Sequence, residues 1–186
     1  MTGSQWLHGQ VRCLSIRQPH AFLICAGVKP VENRTWSTNY RGQLLIHAGK
    51  ARETANDRSF AIRTLRDRYG IETAAARRVY EPWAARGAIV GTAELYDCVR
   101  PGPGPIESTG SGQSNSGSNF SEWFSGPVGF LLKDTGFFAT PMPSRGRLSL
   151  YRPDREALLA VLNTEVLSAE EWRKRELGNA RTRSFR

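Results

Sequence analysis

The sequence predicts an α+β domain, a small β-barrel with helices packed outside it. Two observations carry this. Six short β-favouring runs are punctuated by Gly and Pro: Val31 to Trp36, Gln43 to Ala48, Ala88 to Tyr96, Val128 to Lys133, Gly136 to Ala139 and Arg147 to Tyr151. Short strands so spaced suit a compact barrel. Helical stretches interleave with them, and 186 residues suffice for one domain with a proper core.

The elements follow in chain order. Pro19 fits the first turn of a helix running to about Ala26, and Gly27 fits its C-terminal cap. Phe22, Leu23, Cys25 and Ala26 supply its buried stripe. Pro30 holds back the strand that starts at Val31. Asn39 to Gly42 carries turn chemistry before the strand Gln43 to Ala48. Ala51 to Tyr69 and Glu72 to Arg86 read as two helices separated at Gly70. Ala88 to Tyr96 reads as a core strand, and the three later runs as further short strands. Asp154 to Leu162 is a helix, and another starts at Ser168, where Glu171 completes a capping box. Pro101 to Asn119, PGPGPIESTGSGQSNSGSN, holds almost nothing that can be buried and reads as a flexible loop. The predicted organisation is a domain over 11–163 with a flexible loop at 101–119, then a C-terminal helix and basic tail over 164–186. The three arginines from Gly178 onward fit an arm on phosphates or a solvated terminus equally well.

A net charge of +9, with a pI near 10.1, favours a polyanionic partner. Arginine dominates the basic set, and its planar fork of donors suits phosphate and base edges. Charge alone names no partner, since basic proteins are common. Cys13, Cys25 and Cys98 are odd in number and widely spaced, as reduced core thiols of a cytoplasmic protein would be. His8, His20 and His47 are equally scattered, so neither a metal nor another cofactor is expected. No apolar run nears the roughly 20 residues that span a bilayer, and MTGSQWLHGQ lacks the features of a signal peptide.

The densest chemistry lies in GVKPVENRTW, Gly27 to Trp36, with Lys29, Glu32 and Arg34 inside six positions. On a strand Glu32 and Arg34 project the same way, roughly 7 Å apart at the base. They can pair with each other or hold a planar, amide-rich ligand. A surface ion pair of small energetic weight accounts for the trio as well.

The trio sits in a longer pattern. LSIRQPHAFLICAG precedes it and RGQLLIHAGK follows; GAIVGTAELYDC, GPVGFLLKD and PMPSRGRLSLY come later. These five segments, spread over residues 13 to 152, resemble the ASCH (activating-signal-cointegrator homology) domain, whose G-x-K-x-x-E-x-R signature runs here from Gly27 to Arg34. The resemblance implies a PUA-like small β-barrel and an RNA-binding role, in translation or RNA processing. It places a cleft between the barrel and the helix before the signature, lined by Lys29, Glu32 and Arg34, with Ser15, Gln18 and Trp36 on the flanking segments. Trp36 could stack on a base or pack in the core. Tyr40, Arg41, His47 and Lys50 could extend the surface, although His47 suits a packed barrel position too. Arg145 and Arg147 flank Gly146 in a basic turn, read either as backbone contacts or as a solvated loop. The expected partner is RNA or DNA, the expected state a monomer, and no membrane is involved.

Two other functions stay open. Relatives of this kind include ribonucleases and amidohydrolases of acylated cytidine. The latter use a lysine at the position of Lys29, a threonine three residues later and a distant glutamate. Glu32 stands where that threonine would be, so the triad does not transfer. A metal-free hydrolase needs Lys29 desolvated enough to act as a base, which Glu32 opposes. The remaining reading is a reader of a modified, flipped base in DNA. Binding without chemistry is the preferred expectation.

Overall fold

A computed structural model of the chain describes residues 10–101, 107–108 and 122–182. Most of the loop expected at 101–119 and the last four residues of the basic tail lie outside the described residues. The element order is β1 (Arg12–Ile16), α1 (His20–Cys25), β2 (Val31–Arg34), β3 (Gly42–Ala48), α2 (Ala55–Tyr69), α3 (Thr73–Tyr80) and β4 (Ala88–Arg100). There follow β5 (Glu107–Ser108), β6 (Val128–Pro143), β7 (Leu150–Tyr151), α4 (Arg155–Leu162), β8 (Val166–Ser168) and α5 (Ala169–Thr182).

The strands form one mixed sheet in the order β2-β6-β4-β3-β1-β7, with β5 added to β4 and β8 to β6. Among the described residues only β1 and β3 run parallel, and the other pairings are antiparallel. The register between β4 and β6 shifts at Ile89/Gly91, Thr92/Glu94 and Leu95/Asp97, and that between β3 and β4 at Ile46/His47. Each such irregularity bends and twists its strand, and together they curl the sheet into a half-barrel.

The hollow is filled by α1, whose residues Ala21 to Cys25 are wholly buried. Phe22 meets Tyr80 edge-on at 4.9 Å, and also packs on Phe137 and on Trp172 of α5. Strand parity sorts the residues: Leu14, Ile16, Leu44 and Ile46 face α1, while Cys13 and Leu45 face the other side, where Ala157 and Val161 of α4 cover them. Gly91 marks the tightest approach. A Cβ there would lie 2.2 Å from the Gly136 carbonyl oxygen and 2.6 Å from Cys25 Sγ, so no larger residue fits between helix and sheet.

The expected α+β small barrel with helices around it is borne out, its sheet curled into a half-barrel, with several revised bounds. β1 was not anticipated, because five residues, RCLSI, just upstream of a Gln-Pro pair carry little local strand signal; its partner β3 lies 30 residues on. The runs 128–133 and 136–139 are one bent strand, β6, with Asp134 in the left-handed region at φ 46°. Of Arg147 to Tyr151 only the last two residues pair. Helix α2 starts at Ala55, where Thr54 and Asp57 form a reciprocal capping box, and stops as expected at Gly70, φ 60°. The Gln18–Pro19 peptide is cis.

Candidate functional site

After α1 the chain doubles back, with the amides of Val28 and Lys29 both donating to the Leu23 carbonyl. That turn aims Lys29 inward, beside β2. Lys29 Nζ donates to Glu32 Oε2 at 2.6 Å and to the Val31 carbonyl at 2.6 Å. Glu32 Oε1 lies 3.2 Å from an Arg34 terminal nitrogen, which also donates to the Ser15 carbonyl at 2.7 Å. Glu32 and Arg34 stand opposite Phe130 and Val128 of β6, both facing the interior. β2 ends the sheet on one side, and β1 lies near its other end. Arg34 therefore ties the two sides together by a side chain where the backbone ladder leaves the half-barrel open.

The trio is not a surface ion pair: Lys29 is 3% exposed and Glu32 8%. Burial pushes the Lys29 ammonium below its ordinary pKa, and Glu32 pulls it back up. With both contacts of Lys29 inside the protein, its first task is to hold the turn and Glu32 in place.

Beside the trio stands an aromatic rim that sequence reasoning missed. His20 packs on Phe60 at 6.2 Å, and Phe60 meets Trp123 edge-on at 6.1 Å. Asn33, facing away from the trio on β2, donates to the Trp123 carbonyl at 2.8 Å and accepts from the Ser125 amide, which fixes that segment. The pKa of His20 is depressed, first by burial and next by the charge of Lys29. Nothing local marks these three residues as neighbours, for they come from α1, α2 and the segment before β6.

The other expected residues scatter. Trp36 is half-buried, edge-on to Phe130 at 5.0 Å. Gln18 is buried; its oxygen accepts from the Phe22 amide and its nitrogen donates to the Ala85 carbonyl, so it caps α1. The Tyr40 hydroxyl contacts the Gln43 carbonyl at 2.6 Å, and Arg41 is bound to Asp97 at 3.0 Å. Ser15 is aligned with His47 across β1 and β3. His47 is buried and holds the Ser144 carbonyl through Nε2 at 3.1 Å. Lys50, Arg145 and Arg147 are exposed at this end of the sheet, and Arg17 is exposed near His20.

Cys13, Cys25 and Cys98 are all buried thiols, and burial pushes the Cys13 thiol up to about 12. Among the described residues no three His, Cys, Asp or Glu side chains group as a metal site would need, and no helix is long and apolar enough to cross a membrane. A pocket of about 270 Å³ between β6, β8 and the start of α5 includes Thr92, Asp134 and Glu171, and none of the signature residues.

A family model described as the ASCH domain matches residues 14–179. Activating signal cointegrator 1 of Homo sapiens is 32% identical over 87 residues, 47% of this chain and 14% of that protein. The protein of the same name from Mus musculus is 33% identical over 87 residues, with the same coverage. The alignment thus takes in a minor part of either relative's length.

Proposed function

The chain belongs to the ASCH domain family, and on that premise we propose that it binds nucleic acid, RNA first, at the open side of the half-barrel beside Lys29, Glu32 and Arg34. The observation that carries this is the placement of charge. Arg17, Lys50, Arg145 and Arg147 are exposed around that side, while the buried trio is internally compensated. In this reading the trio shapes and fixes the cleft, the exposed cations meet phosphates, and Trp123, Phe60 and His20 offer aromatic surface to an unstacked base. A role in translation or RNA processing and a cytoplasmic, monomeric protein go with it.

Salt dependence of binding tests the proposal. Four phosphate contacts to a single strand give a log–log slope of about −2.8, hence a loss of about fifty-fold in affinity between about 50 and about 200 mM salt. Fluorescence anisotropy with a labelled RNA, and with DNA of the same sequence, reads both slope and preference. Salt-independent binding, or none, sinks the reading.

One observation favours a second reading. A lysine base must lose its proton near neutrality, and the burial of Lys29 lowers its pKa. A metal-independent hydrolase of RNA or of a modified nucleoside would show turnover abolished by Lys29→Met at unchanged affinity. A reader of a modified DNA base would instead prefer that base in the DNA arm of the anisotropy experiment.

A further inference from the structure

The loop from Ser144 to Ser149 covers two polar atoms that nothing satisfies. Ser15 Oγ and His47 Nδ1 are both buried and both without a hydrogen-bond partner. The Tyr151 phenol, which accepts from Cys13 Sγ, stands near Ser15, but no contact of hydrogen-bond geometry joins them. Gly146 lies directly over the pair. A Cβ on it would be 2.8 Å from Ser15 Oγ, 2.8 Å from His47 Nδ1 and 2.5 Å from His47 Cε1. Only a glycine lets the loop come this close.

The state of His47 follows from its other nitrogen. Nε2 faces the Ser144 carbonyl, which can only accept, so Nε2 carries the proton and the neutral ring turns a bare Nδ1 toward Gly146. Ser15 adds a hydroxyl that feels the Tyr151 phenol but makes no contact of hydrogen-bond geometry with it. A buried polar group left unmatched is costly, and a pair of them side by side is uncommon unless a partner comes and goes.

The loop itself is poorly held. Ser144 is anchored through its amide to the Gly87 carbonyl and through its own carbonyl to His47, and Leu150 and Tyr151 pair with β1. Between those anchors, and outside the β1–β7 ladder, 145–149 make no hydrogen bond with the described residues. Leu148 is 93% exposed, and Ser149 sits at φ 58°, a conformation that L residues avoid. Arg145 and Arg147, on either side of Gly146, are exposed, and the charge of Lys50 reaches His47.

We propose that this loop is a lid over a phosphoryl-binding site, in which Ser15 and His47 meet the phosphoryl oxygens once Gly146 lifts, and Arg145 and Arg147 neutralise the charge. The Ser15 hydroxyl donates to one oxygen. His47 Nδ1 accepts from a P–OH or, when protonated, donates to a P–O⁻. A carboxylate ligand would use less of this set, because two hydrogen-bonding atoms and two flanking guanidiniums suit a group with three or four oxygens. The inference deepens the nucleic-acid reading and rests on it for the source of the phosphoryl group, either the terminal phosphate of a strand or a backbone phosphodiester.

The test follows the His47 imidazole by NMR in the full-length protein at constant ionic strength. Inorganic phosphate should shift the His47 signal saturably, where chloride does not. The double variant Arg145→Ala/Arg147→Ala should weaken that response by about tenfold or more, the loss of at least one charge-assisted contact. Ser15→Ala, which removes an unsatisfied hydroxyl and should fold well, should weaken it several-fold. A short oligonucleotide then separates the sources. A response that needs its terminal phosphate assigns the site to strand ends, and an equal response without it assigns the site to the backbone. A His47 signal unmoved by all three probes, in a protein that binds RNA by anisotropy, overturns the lid while the nucleic-acid reading stands. A response to phosphate in a protein that binds no RNA keeps the site and removes that reading.

Discussion

Replacing Glu32 by glutamine keeps the shape of the site and deletes its central charge. In the native protein that carboxylate holds Lys29 on one oxygen, at 2.6 Å, and Arg34 on the other, at 3.2 Å. Lys29 is 3% exposed and keeps only the Val31 carbonyl as a further partner. Glu32→Gln therefore strands a buried ammonium, and removing one partner of a buried pair costs about 3–5 kcal/mol. Lys29→Met is milder, since Glu32 retains Arg34; about 1–3 kcal/mol is expected, the range for losing a hydrogen bond to a charged group. The double variant Lys29→Met/Glu32→Gln leaves no stranded ammonium and should be more stable than Glu32→Gln alone, so the two changes are strongly non-additive. Without Glu32 the folded-state pKa of Lys29, already lowered by burial, falls further. The unfolded chain then binds the proton more tightly, and the stability of Glu32→Gln rises with pH between the folded value and that of an ordinary lysine. Urea denaturation of the four proteins at two pH values reads all of this. Additive costs, or a Glu32→Gln variant within about 0.5 kcal/mol of wild type, would show that the trio does not hold the half-barrel together.

Two further outcomes follow from geometry. His20 and His47 both have pKa values lowered chiefly by burial, so the unfolded chain takes up protons that the folded one resists. Stability should therefore fall as pH drops below about 6.5, until the folded values are passed; His47→Gln should flatten part of that fall, and a urea midpoint constant over this range would contradict it. Gly91→Ala puts a methyl 2.2 Å from a backbone oxygen that cannot swing away, so a cost of about 2 kcal/mol or more is expected from overpacking, and a change under about 0.5 kcal/mol would mean that the strands part easily.

Local chemistry made much of this protein legible. Gly70 ended α2 because the chain there needs a left-handed residue, and Glu171 with Ser168 formed the reciprocal cap that their spacing announced. Strand parity put Glu32 and Arg34 on one face. These signals survived folding because turn, cap and parity depend only on a few consecutive residues. The expected strand Arg147 to Tyr151, by contrast, paired only at Leu150–Tyr151, and the helix expected over Glu72 to Arg86 ended at Tyr80.

What remained hidden depends on distance along the chain. A parallel strand such as β1 has no meaning until β3 is beside it, 30 residues on. The burial of Lys29, the Arg34 link to Ser15, and the meeting of His20, Phe60 and Trp123 each require the sheet to curl, through register shifts spread over β3, β4 and β6. Sequence alone determined the family, the signature and the cationic balance, because these reside in residue identity and order. Tertiary structure alone decided which charges face water and which are consumed inside. Solvent exposure is a property of what packs over a residue, and for Gln18 and His47 the partners, Ala85 and Ser144, are far away in the chain.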